Sequence, residues 1–560
     1  MHRVFLAGRQ NGPVNPGSGA HDGDRDPTVP DSLDCIWQRL QTRWNQMNPF
    51  SVPIPALTAA NRQEWRFLAI MAGTACLLFA LYTLAWPMEC GRECWVYLEH
   101  YHGVVSSFTF FRPVGASHLL GWVSELPFSL LPWAFCLLYL LHLGTAYWAA
   151  RRFGLLTARI VLVLLVLDFS VLATFHRFDG YPMFALSLSI WSMAMVHGFT
   201  TPSYAKLYFL GVVTILPLIM RQTAIVLFLT ALFPFFCFGV SWRSVLRSLA
   251  FGLGIGTGFL ALALYNYIHF GLFVALPSSE FYFPTYHVYR QQAPKFSEQH
   301  GPYNQKLIQT IQEELLTQDV YVNNRVDLER FLTFSLDDRK LSDLQYLDVK
   351  HSGLVRNAAY EAIRAQPGVF LKSLFSVTWR MYTKDNLSEL PLPTPESTST
   401  VPPATVTAEA GTAFKMLPNS FSSRPDVVEM SNADDSFPQG GEEDAAIQQK
   451  VSDFIKQLSQ KGNYHLAFFL RYFVAAILPP MLFFLCMSLL LIFGIRHLEI
   501  RMLYILLISS VLLILGSGMI NDLPQYRAPF DFLLILGGVV AVGLPAACRQ
   551  CLHMTGAKNN

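Results

Sequence analysis

Long apolar runs separated by short polar segments dominate the chain. Most of these runs reach or approach the roughly 20 residues that a helix needs to cross the hydrocarbon of a bilayer. The pattern predicts about ten membrane-spanning helices. They lie at residues 67–86, 128–150, 155–174, 182–195, 207–220, 224–239, 249–270, 466–493, 502–519 and 529–547. The two short runs, 182–195 and 207–220, have polar flanks that can extend them toward the membrane surface.

The polar stretches divide the chain into six parts. A disordered tail is predicted for residues 1–65, a membrane domain of about seven helices for 66–270, and a folded segment, mixed or mainly helical, for 271–386. Residues 387–445 are rich in Pro, Ser and Thr and predict a disordered linker. A second membrane domain of about three helices follows at 446–547, and 548–560 form a tail.

One stretch near the end of the folded segment carries apolar residues at helical spacing. Residues 357–382 include Phe370, Leu371, Leu374 and Phe375, which a helix places toward one side. We therefore expect an amphipathic helix that lies at the membrane interface.

Composition agrees with a membrane protein. The chain is 52% hydrophobic and 14% charged, whereas soluble domains carry about 25% charged residues. A net charge of +2 gives no whole-chain argument for binding nucleic acid. The bilayer itself is the first expected partner, and the fold class is an all-α polytopic membrane protein.

Basic residues mark alternate short loops and predict the orientation. They are Arg62, Arg66, Arg151, Arg152, Arg159, Lys206, Arg243, Arg247, Arg496, Arg501, Arg549 and Lys558. By the positive-inside rule both termini are cytoplasmic, and the segment from residue 271 to 464 is extracytoplasmic.

Four loops on the predicted extracytoplasmic side hold polar residues that could form one site. They contain Glu89-Cys90-Gly91-Arg92-Glu93 through Glu99-His100 and Arg112-Pro113, then His176-Arg177-Phe178-Asp179, then Arg221-Gln222-Thr223, then Gln525-Tyr526-Arg527-Ala528-Pro529. A carboxylate suits general-base activation of an acceptor. Arginine suits the phosphate of a lipid-linked donor.

These loop motifs, in this order and on one side of the membrane, resemble those of the GT-C membrane glycosyltransferases. That group includes protein O-mannosyltransferases and bacterial aminoarabinose transferases. The resembling stretches are Glu93 to Glu99, Phe111 to Gly115, His176 to Asp179, Arg221 to Ala224 and Gln525 to Asp531. A further stretch, Ala359 to Gly368, is similar to a helix of bacterial members and favours a bacterial inner membrane.

The resemblance implies a GT-C-like fold and an inverting transfer of a sugar from a polyprenyl phosphate to an acceptor on the extracytoplasmic face. In that scheme Glu93 is the general base, and Asp179 holds the acceptor or a divalent cation. The substrate-binding residues are Arg112, Arg221, Tyr526 and Arg527, of which Arg221 and Arg527 neutralise the lipid phosphate. No residue set with the geometry of a resident metal site is predicted.

Simpler interpretations stand beside these. Glu89 and Glu99 rival Glu93 as the base, and Asp179 could serve only as a helix N-cap. Arg527 could anchor a helix end at the headgroups. For the whole protein, the alternatives are a multi-pass transporter or flippase, or a non-catalytic relative that keeps the fold. Glu93 and Gln222 depart from the family pattern and favour the last of these.

Two local patterns have structural interpretations. The repeated glycines of residues 252–258 lie inside an apolar run, so close helix packing is favoured over a dinucleotide loop. Cys90 and Cys94 fall on the predicted oxidising side, where a disulfide can form.

Overall fold

The chain is mainly helical. The computed structural model describes residues 59–86, 88–90, 94–103, 113–199, 203–270, 284–318, 325–333, 353–383, 442–458, 481–494, 498–518 and 527–556, with a few single positions between. The fold discussed below belongs to one compact unit, Pro53–Ala546. Strand structure within these ranges consists of two short strands, β1 (Glu89–Cys90) and β2 (Arg177–Phe178), which pair in parallel.

The helices follow the predicted apolar runs closely. In chain order they are α1 Ala59–Ala85, α2 Cys94–Tyr101, α3 Val114–Ser124, α4 Leu131–Arg151, α5 Leu155–Leu167, α6 Phe169–Phe175, α7 Gly180–Gly198, α8 Tyr204–Val213, α9 Ile215–Met220, α10 Phe233–Phe238 and α11 Trp242–Phe270. The later ones are α12 Pro284–Gln291, α13 Pro302–Thr310, α14 Leu328–Thr333, α15 Leu354–Ala365, α16 Pro367–Thr383, α17 Glu442–Leu458, α18 Met481–Leu489, α19 Leu498–Gly518 and α20 Asp531–Gly556. Short 3₁₀ turns continue some of them, the longest at Gln222–Leu232.

Some of these helices are long and apolar enough to cross a membrane. Three qualify singly, Arg62–Ala85, Phe128–Arg151 and Trp242–His269, and α5 with α6 forms a bent fourth candidate. Shorter apolar helices occupy Tyr204–Met220, Ala224–Phe238, Met481–Ile492, Ile500–Ile514 and Ala528–Gly543. The helical membrane class is thus supported, whereas the number of ten spans stays a prediction.

The first helix begins earlier than its apolar run. The predicted tail extended to residue 65, but α1 begins at Ala59. Glu64 pairs with Arg151 at the end of α4 and accepts a hydrogen bond from Tyr147 Oη at 2.6 Å. This contact holds the polar first turn against the bundle, so the helix continues beyond the residues that hydropathy alone selects.

The run at 155–174 is broken rather than straight. Its two halves meet at Asp168 with a bend of 64°. Asp168 has extended backbone, with φ −76° and ψ 101°, and its Oδ1 accepts a hydrogen bond from Ser170 N at 2.9 Å. The carboxylate therefore ends α5 and caps α6, as a short acceptor side chain does at a helix N-terminus.

Helix α11 packs closely on α8 and α9 at two of its glycines. A Cβ on Gly254 would overlap the backbone oxygen of Tyr208, and one on Gly258 would overlap the side chain of Ile215. Gly252 and Gly256 face open space instead. The interpretation of residues 252–258 as a packing motif is therefore confirmed, with one pair of glycines four residues apart at the contact.

The described part of segment 271–386 is helical. Asn304, near the start of α13, donates from Nδ2 to Ala358 O of α15 at 2.8 Å. Glu314 pairs with Lys350 at 2.9 Å and with His351 at 3.0 Å, and these contacts hold the pKa of Glu314 below its usual range. Polar contacts of this kind, together with buried Leu307 and Val355, hold the segment together.

The predicted amphipathic face in α16 is divided by the structure. Phe370 and Leu374 are buried, whereas Leu371 and Phe375 are exposed. Around the helix the four residues span about 140°, with the buried pair at one edge of that arc and the exposed pair at the other. The apolar side expected from the sequence therefore has one part against the protein and one part exposed.

Helix α17 returns the chain to the first loop. It packs against α2 and β1, and the ring of Phe454 lies 5.8 Å from that of Phe128 and 5.2 Å from that of Phe178. The helix begins at Glu442, a few residues inside the linker predicted for 387–445. Buried Val451 and Leu458, which follow the predicted linker, supply the apolar face of this helix.

Candidate functional site

The first two candidate loops are joined by backbone pairing. Strand β1 lies beside β2, with Glu89 opposite Arg177 and Cys90 opposite Phe178. Cys90 forms a disulfide with Cys94, the first residue of α2. The predicted disulfide is confirmed, and the loops after α1 and α6 meet at this pairing.

Asp179 begins α7 directly after this strand pair. Its carboxylate Oδ1 accepts a hydrogen bond from Gly180 N at 2.6 Å, which confirms the N-cap interpretation. The next residue has little room, because a Cβ on Gly180 would lie 3.0 Å from Tyr97 Oη and 3.4 Å from Ala116 Cβ. Helices α2 and α3 of the first loop therefore pack directly against the start of α7.

Arg221 is a buried cation that reaches the same helix start. Its Nη2 donates to Tyr181 Oη at 3.0 Å, and its guanidinium carbon lies 4.2 Å from the centroid of the Tyr181 ring. A Cβ on Gly115 would lie 2.8 Å from Ile219 O, so the start of α3 packs on the end of α9 just before Arg221. The first three predicted loops thus converge around the first turn of α7.

Arg527 lies at the start of the last helix, in a different environment. Nε and Nη2 donate to the two oxygens of Asp531 at 2.9 and 3.3 Å, and Nη1 donates to Met381 O of α16 at 3.0 Å. The Arg527 side chain is only 3% exposed. All the guanidinium nitrogens therefore have a protein partner before any phosphate is considered.

A second carboxylate lies near this pair. Asp168, at the bend between α5 and α6, interacts electrostatically with both Arg527 and Asp531. Its Oδ2 is buried and has no hydrogen bond within 3.5 Å among the described residues, and the same holds for Tyr382 Oη on α16. Asp168, Arg527 and Asp531 are named the buried triad below; it holds two carboxyl groups and one guanidinium.

The fourth loop also contacts α7. The ring of Phe530 lies 5.8 Å from that of Phe184, one turn after Tyr181. Arg221 and Phe530, the residue before Asp531, therefore contact the same helix on successive turns. This convergence of four loops is the arrangement from which a site could be built.

Several predicted residues have no described geometry. Glu93, Arg112 and Tyr526 lie outside the described residues, and of Glu89 only the backbone is described. Glu99, the other rival for the base, is a buried side chain of α2. Among the four loops the structure therefore locates Asp179, Arg221 and Arg527 and brings the first two to one helix start.

The described residues offer no ready metal centre. No group of three or more His, Cys, Asp or Glu side chains within them could hold a metal ion. His100, near Glu99 in the first loop, has its Nδ1 2.8 Å from Ser117 Oγ. That hydrogen bond joins α2 to α3 and gives this histidine a structural role.

A histidine pair connects the first loop to the end of α11. His118 Nε2 lies 2.8 Å from Tyr265 Oη, and the Tyr265 ring is 4.3 Å from that of His269. Burial lowers the pKa of His118 below its usual value, and the nearby His269 lowers it further. This contact fixes the outer side of α3, whose first turn packs beside Arg221.

Two members of the buried triad, Asp168 and Asp531, were not among the site residues predicted from the sequence. Asp531 follows Arg527 by one helical turn, and this spacing is the signal of a helical ion pair. Asp168 is a charged residue within an apolar run, which is itself a signal of function. Comparison with protein-family models, with curated proteins and with solved structures found no match to this chain.

Proposed function

We propose that this chain is a membrane glycosyltransferase. It moves a sugar from a polyprenyl-phosphate donor to an acceptor on the extracytoplasmic face, with inversion at the sugar carbon. The observation that supports the proposal most is that Asp179 caps the start of α7 and Arg221 contacts Tyr181 in the first turn of the same helix. An anionic and a cationic side chain, both buried and held by defined partners, suit transfer from a charged leaving group.

In this proposal Arg221 neutralises the phosphate as the sugar leaves. A guanidinium presents several N–H donors in a plane and binds phosphate oxygens in a fixed geometry. Tyr181 holds that plane by a hydrogen bond and by its ring. Because Arg221 is already buried, its charge acts in a medium of low polarity, where it is worth more than in water.

Glu93 is the proposed general base, and Asp179 is proposed to orient the acceptor or a divalent cation. One oxygen of Asp179 also caps α7, which fixes the carboxylate at the start of that helix. Arg112 and Tyr526 are proposed to contact the donor. If Glu93→Gln and Glu93→Ala both keep full transfer in membranes, the base is another residue.

Arg527 needs a revised role. Its partners are Asp531 and Met381 O, and a phosphate would have to displace a carboxylate that makes two hydrogen bonds to it. We therefore propose that Arg221 carries the main phosphate contact and that Arg527 holds α16 against the start of the last helix.

The test is binding of several polyprenyl-phosphate sugars to the full chain in mild detergent. Arg221→Ala removes a charge-assisted hydrogen bond worth roughly 1.5–3 kcal/mol, so the donor should bind about 10- to 100-fold more weakly. Arg221→Lys keeps the positive charge but loses the planar set of guanidinium donors. Comparison with Arg221→Ala therefore distinguishes the effect of the charge from that of the donor geometry. Arg243→Ala, an exposed arginine in the first turn of α11, is the matched control and should bind as wild type.

Two outcomes would count against the proposal. Wild-type protein that binds none of several such donors would remove its premise. Arg221→Ala protein that stays folded and binds the donor as wild type would remove the phosphate site. Donor binding without transfer to any acceptor would favour a non-catalytic relative.

The buried triad favours a transporter as the second candidate. Ionisable residues inside apolar helices are costly and often line ion or substrate pathways. Asp168 at a helix break and Asp531 in the last apolar helix fit that description. Movement of a substrate into vesicles without a covalent product, lost in Asp168→Asn, would favour this function over transfer.

A further inference from the structure

Helix α16 presents one apolar face to the protein. Phe370, Leu374, Val377 and Met381 are buried, and they recur at the three- and four-residue spacing of one helix side. The helix packs against α18 and α19, which are both among the apolar helices of the chain. This buried face attaches α16 to the protein, and the other sides of the helix do not take part in that contact.

A second apolar face points away from the protein. Leu371, Phe375 and Trp379 follow one another at four-residue spacing and are 61%, 68% and 48% exposed. The rings of Phe375 and Trp379 are stacked, with centroids 6.2 Å apart and planes 21° apart. Three large exposed side chains in one line form what is named here the outer ridge.

Polar residues occupy the face next to the outer ridge. Lys372, Ser376 and Arg380 are exposed and share the same four-residue spacing, offset by one position. Around the helix, the order is therefore a protein-facing side, an apolar outer ridge and a polar, basic side. A helix at a membrane surface has this order, with aromatic and aliphatic residues in the acyl region and basic residues at the headgroups.

The position of α16 in the fold agrees with a location at the membrane surface. Arg527 at the start of the last apolar helix donates to Met381 O, which ties the end of α16 to the end of a membrane helix. The helices beneath it expose apolar residues of their own, Phe483 on α18 and Ile508 on α19. The outer ridge and the helices that α16 packs against therefore all expose large apolar side chains.

We infer that the outer ridge of Leu371, Phe375 and Trp379 lies in the lipid bilayer, with Lys372 at the phosphate headgroups. The folded segment then ends at the membrane at about residue 366, and α16 is a peripheral membrane helix. The occupant of the outer ridge is lipid. This inference does not depend on the glycosyltransferase proposal.

The test is photolabelling of the full chain in vesicles of phosphatidylcholine. The vesicles contain a phospholipid with a diazirine in its acyl chain, and the irradiated protein is denatured, digested with trypsin and mapped by mass spectrometry. Cleavage after Lys372 and Arg380 isolates residues 373–380, which hold Phe375 and Trp379. The control is residues 296–306, which hold Tyr303, an aromatic residue that is 46% exposed in the folded segment.

We expect residues 373–380 to carry at least fivefold more lipid adduct than residues 296–306. A water-soluble diazirine should give the opposite order. Equal lipid labelling of the two peptides, at the level of the soluble control, would overturn the inference. Protection of 373–380 from both reagents would also overturn it, because the outer ridge would then be covered by protein.

A pair of variants checks the result through stability. Phe375→Asp places a charge on the outer ridge, and Ser376→Asp places the same charge on the polar face one residue away. In lipid nanodiscs the first should lower the midpoint of thermal unfolding by several degrees, since a carboxylate in the acyl region is costly, and the second should leave it nearly unchanged. Equal shifts would contradict a lipid-facing outer ridge.

Discussion

Arg527 donates to both carboxylate oxygens of Asp531, from Nε at 2.9 Å and from Nη2 at 3.3 Å. The two residues lie one helical turn apart, and Asp531 is fully buried. A pair of this kind contributes little net stability when intact but leaves an uncompensated charge when one partner is removed. The stability of a variant that lacks Arg527 therefore distinguishes a structural arginine from one that binds substrate.

Removal of the Arg527 charge should therefore destabilise the protein. Arg527→Ala removes the cation that interacts with both Asp531 and Asp168, and we expect it to lower the free energy of unfolding by roughly 3–5 kcal/mol. The double variant Arg527→Met with Asp531→Leu should recover most of that loss. Thermal unfolding in detergent measures both. An Arg527→Ala protein with wild-type stability would show that the pair is not structural and would restore Arg527 as a phosphate contact.

Tyr181 should set the donor affinity through Arg221. Tyr181→Phe keeps the ring beneath the guanidinium but removes the hydrogen bond from Arg221, and should weaken donor binding by about 0.5–1.5 kcal/mol. Tyr181→Leu also removes the cation–π contact and should cost about a further 1 kcal/mol. Donor titrations of both variants test this order. Leucine and phenylalanine variants with equal affinity would contradict a contribution from the ring.

The glycines of α11 should differ in their tolerance of a methyl group. Gly254→Ala places a Cβ against the backbone oxygen of Tyr208, which cannot move independently of α8, and should cost roughly 1–3 kcal/mol. Gly252→Ala and Gly256→Ala meet open space and should be neutral or slightly stabilising, because alanine is the better helix former. Thermal unfolding of the three variants compares them under identical conditions. Equal destabilisation would mean that helix flexibility, and not packing, requires these glycines.

His118 should make stability depend on pH. Burial and His269 lower the pKa of His118 in the folded chain, so the unfolded chain binds the proton more tightly. Stability should be full above about pH 6.5 and decrease as the pH falls from there toward the lower folded pKa. The groups that face His118 are Tyr101, Trp122 and Tyr265, with His269 beyond.

The corresponding variant is His118→Gln, which keeps a polar side chain beside Tyr265 but does not titrate. Its unfolding midpoint should fall less steeply than that of wild type between pH 7 and pH 5, when both are measured in the same detergent. A variant that follows the wild-type curve throughout would show that other groups cause the pH dependence.

Hydropathy predicted most of the apolar helices. A long apolar segment in a bilayer has no water to bond its backbone, so it must satisfy its backbone hydrogen bonds within itself, as a helix does. Hydropathy could not predict the break at Asp168. The run at 155–174 is long enough for one straight span, and only the acceptor side chain followed by Ser170 signals a cap. The earlier start of α1 depends on Arg151, far along the chain from Glu64, and no local pattern near residue 59 indicates that contact.

The site was harder to predict than the fold. The loops could be identified from their polar residues, and the cap at Asp179 from its position. The partners that lie far along the chain could not be identified, because Tyr181 is 40 residues from Arg221 and Met381 is 146 residues from Arg527. Asp531 was within reach of sequence reasoning, since residues four apart on a helix are neighbours.

The contact between Arg527 and Met381 has a consequence for biogenesis. It closes a loop of 146 residues, so it cannot form until Arg527 has left the ribosome. The end of α16 can make this contact only after the helix that begins at Asp531 has been inserted. Docking of α16 on that helix is therefore a late step of assembly, which joins two segments that are translated far apart in time.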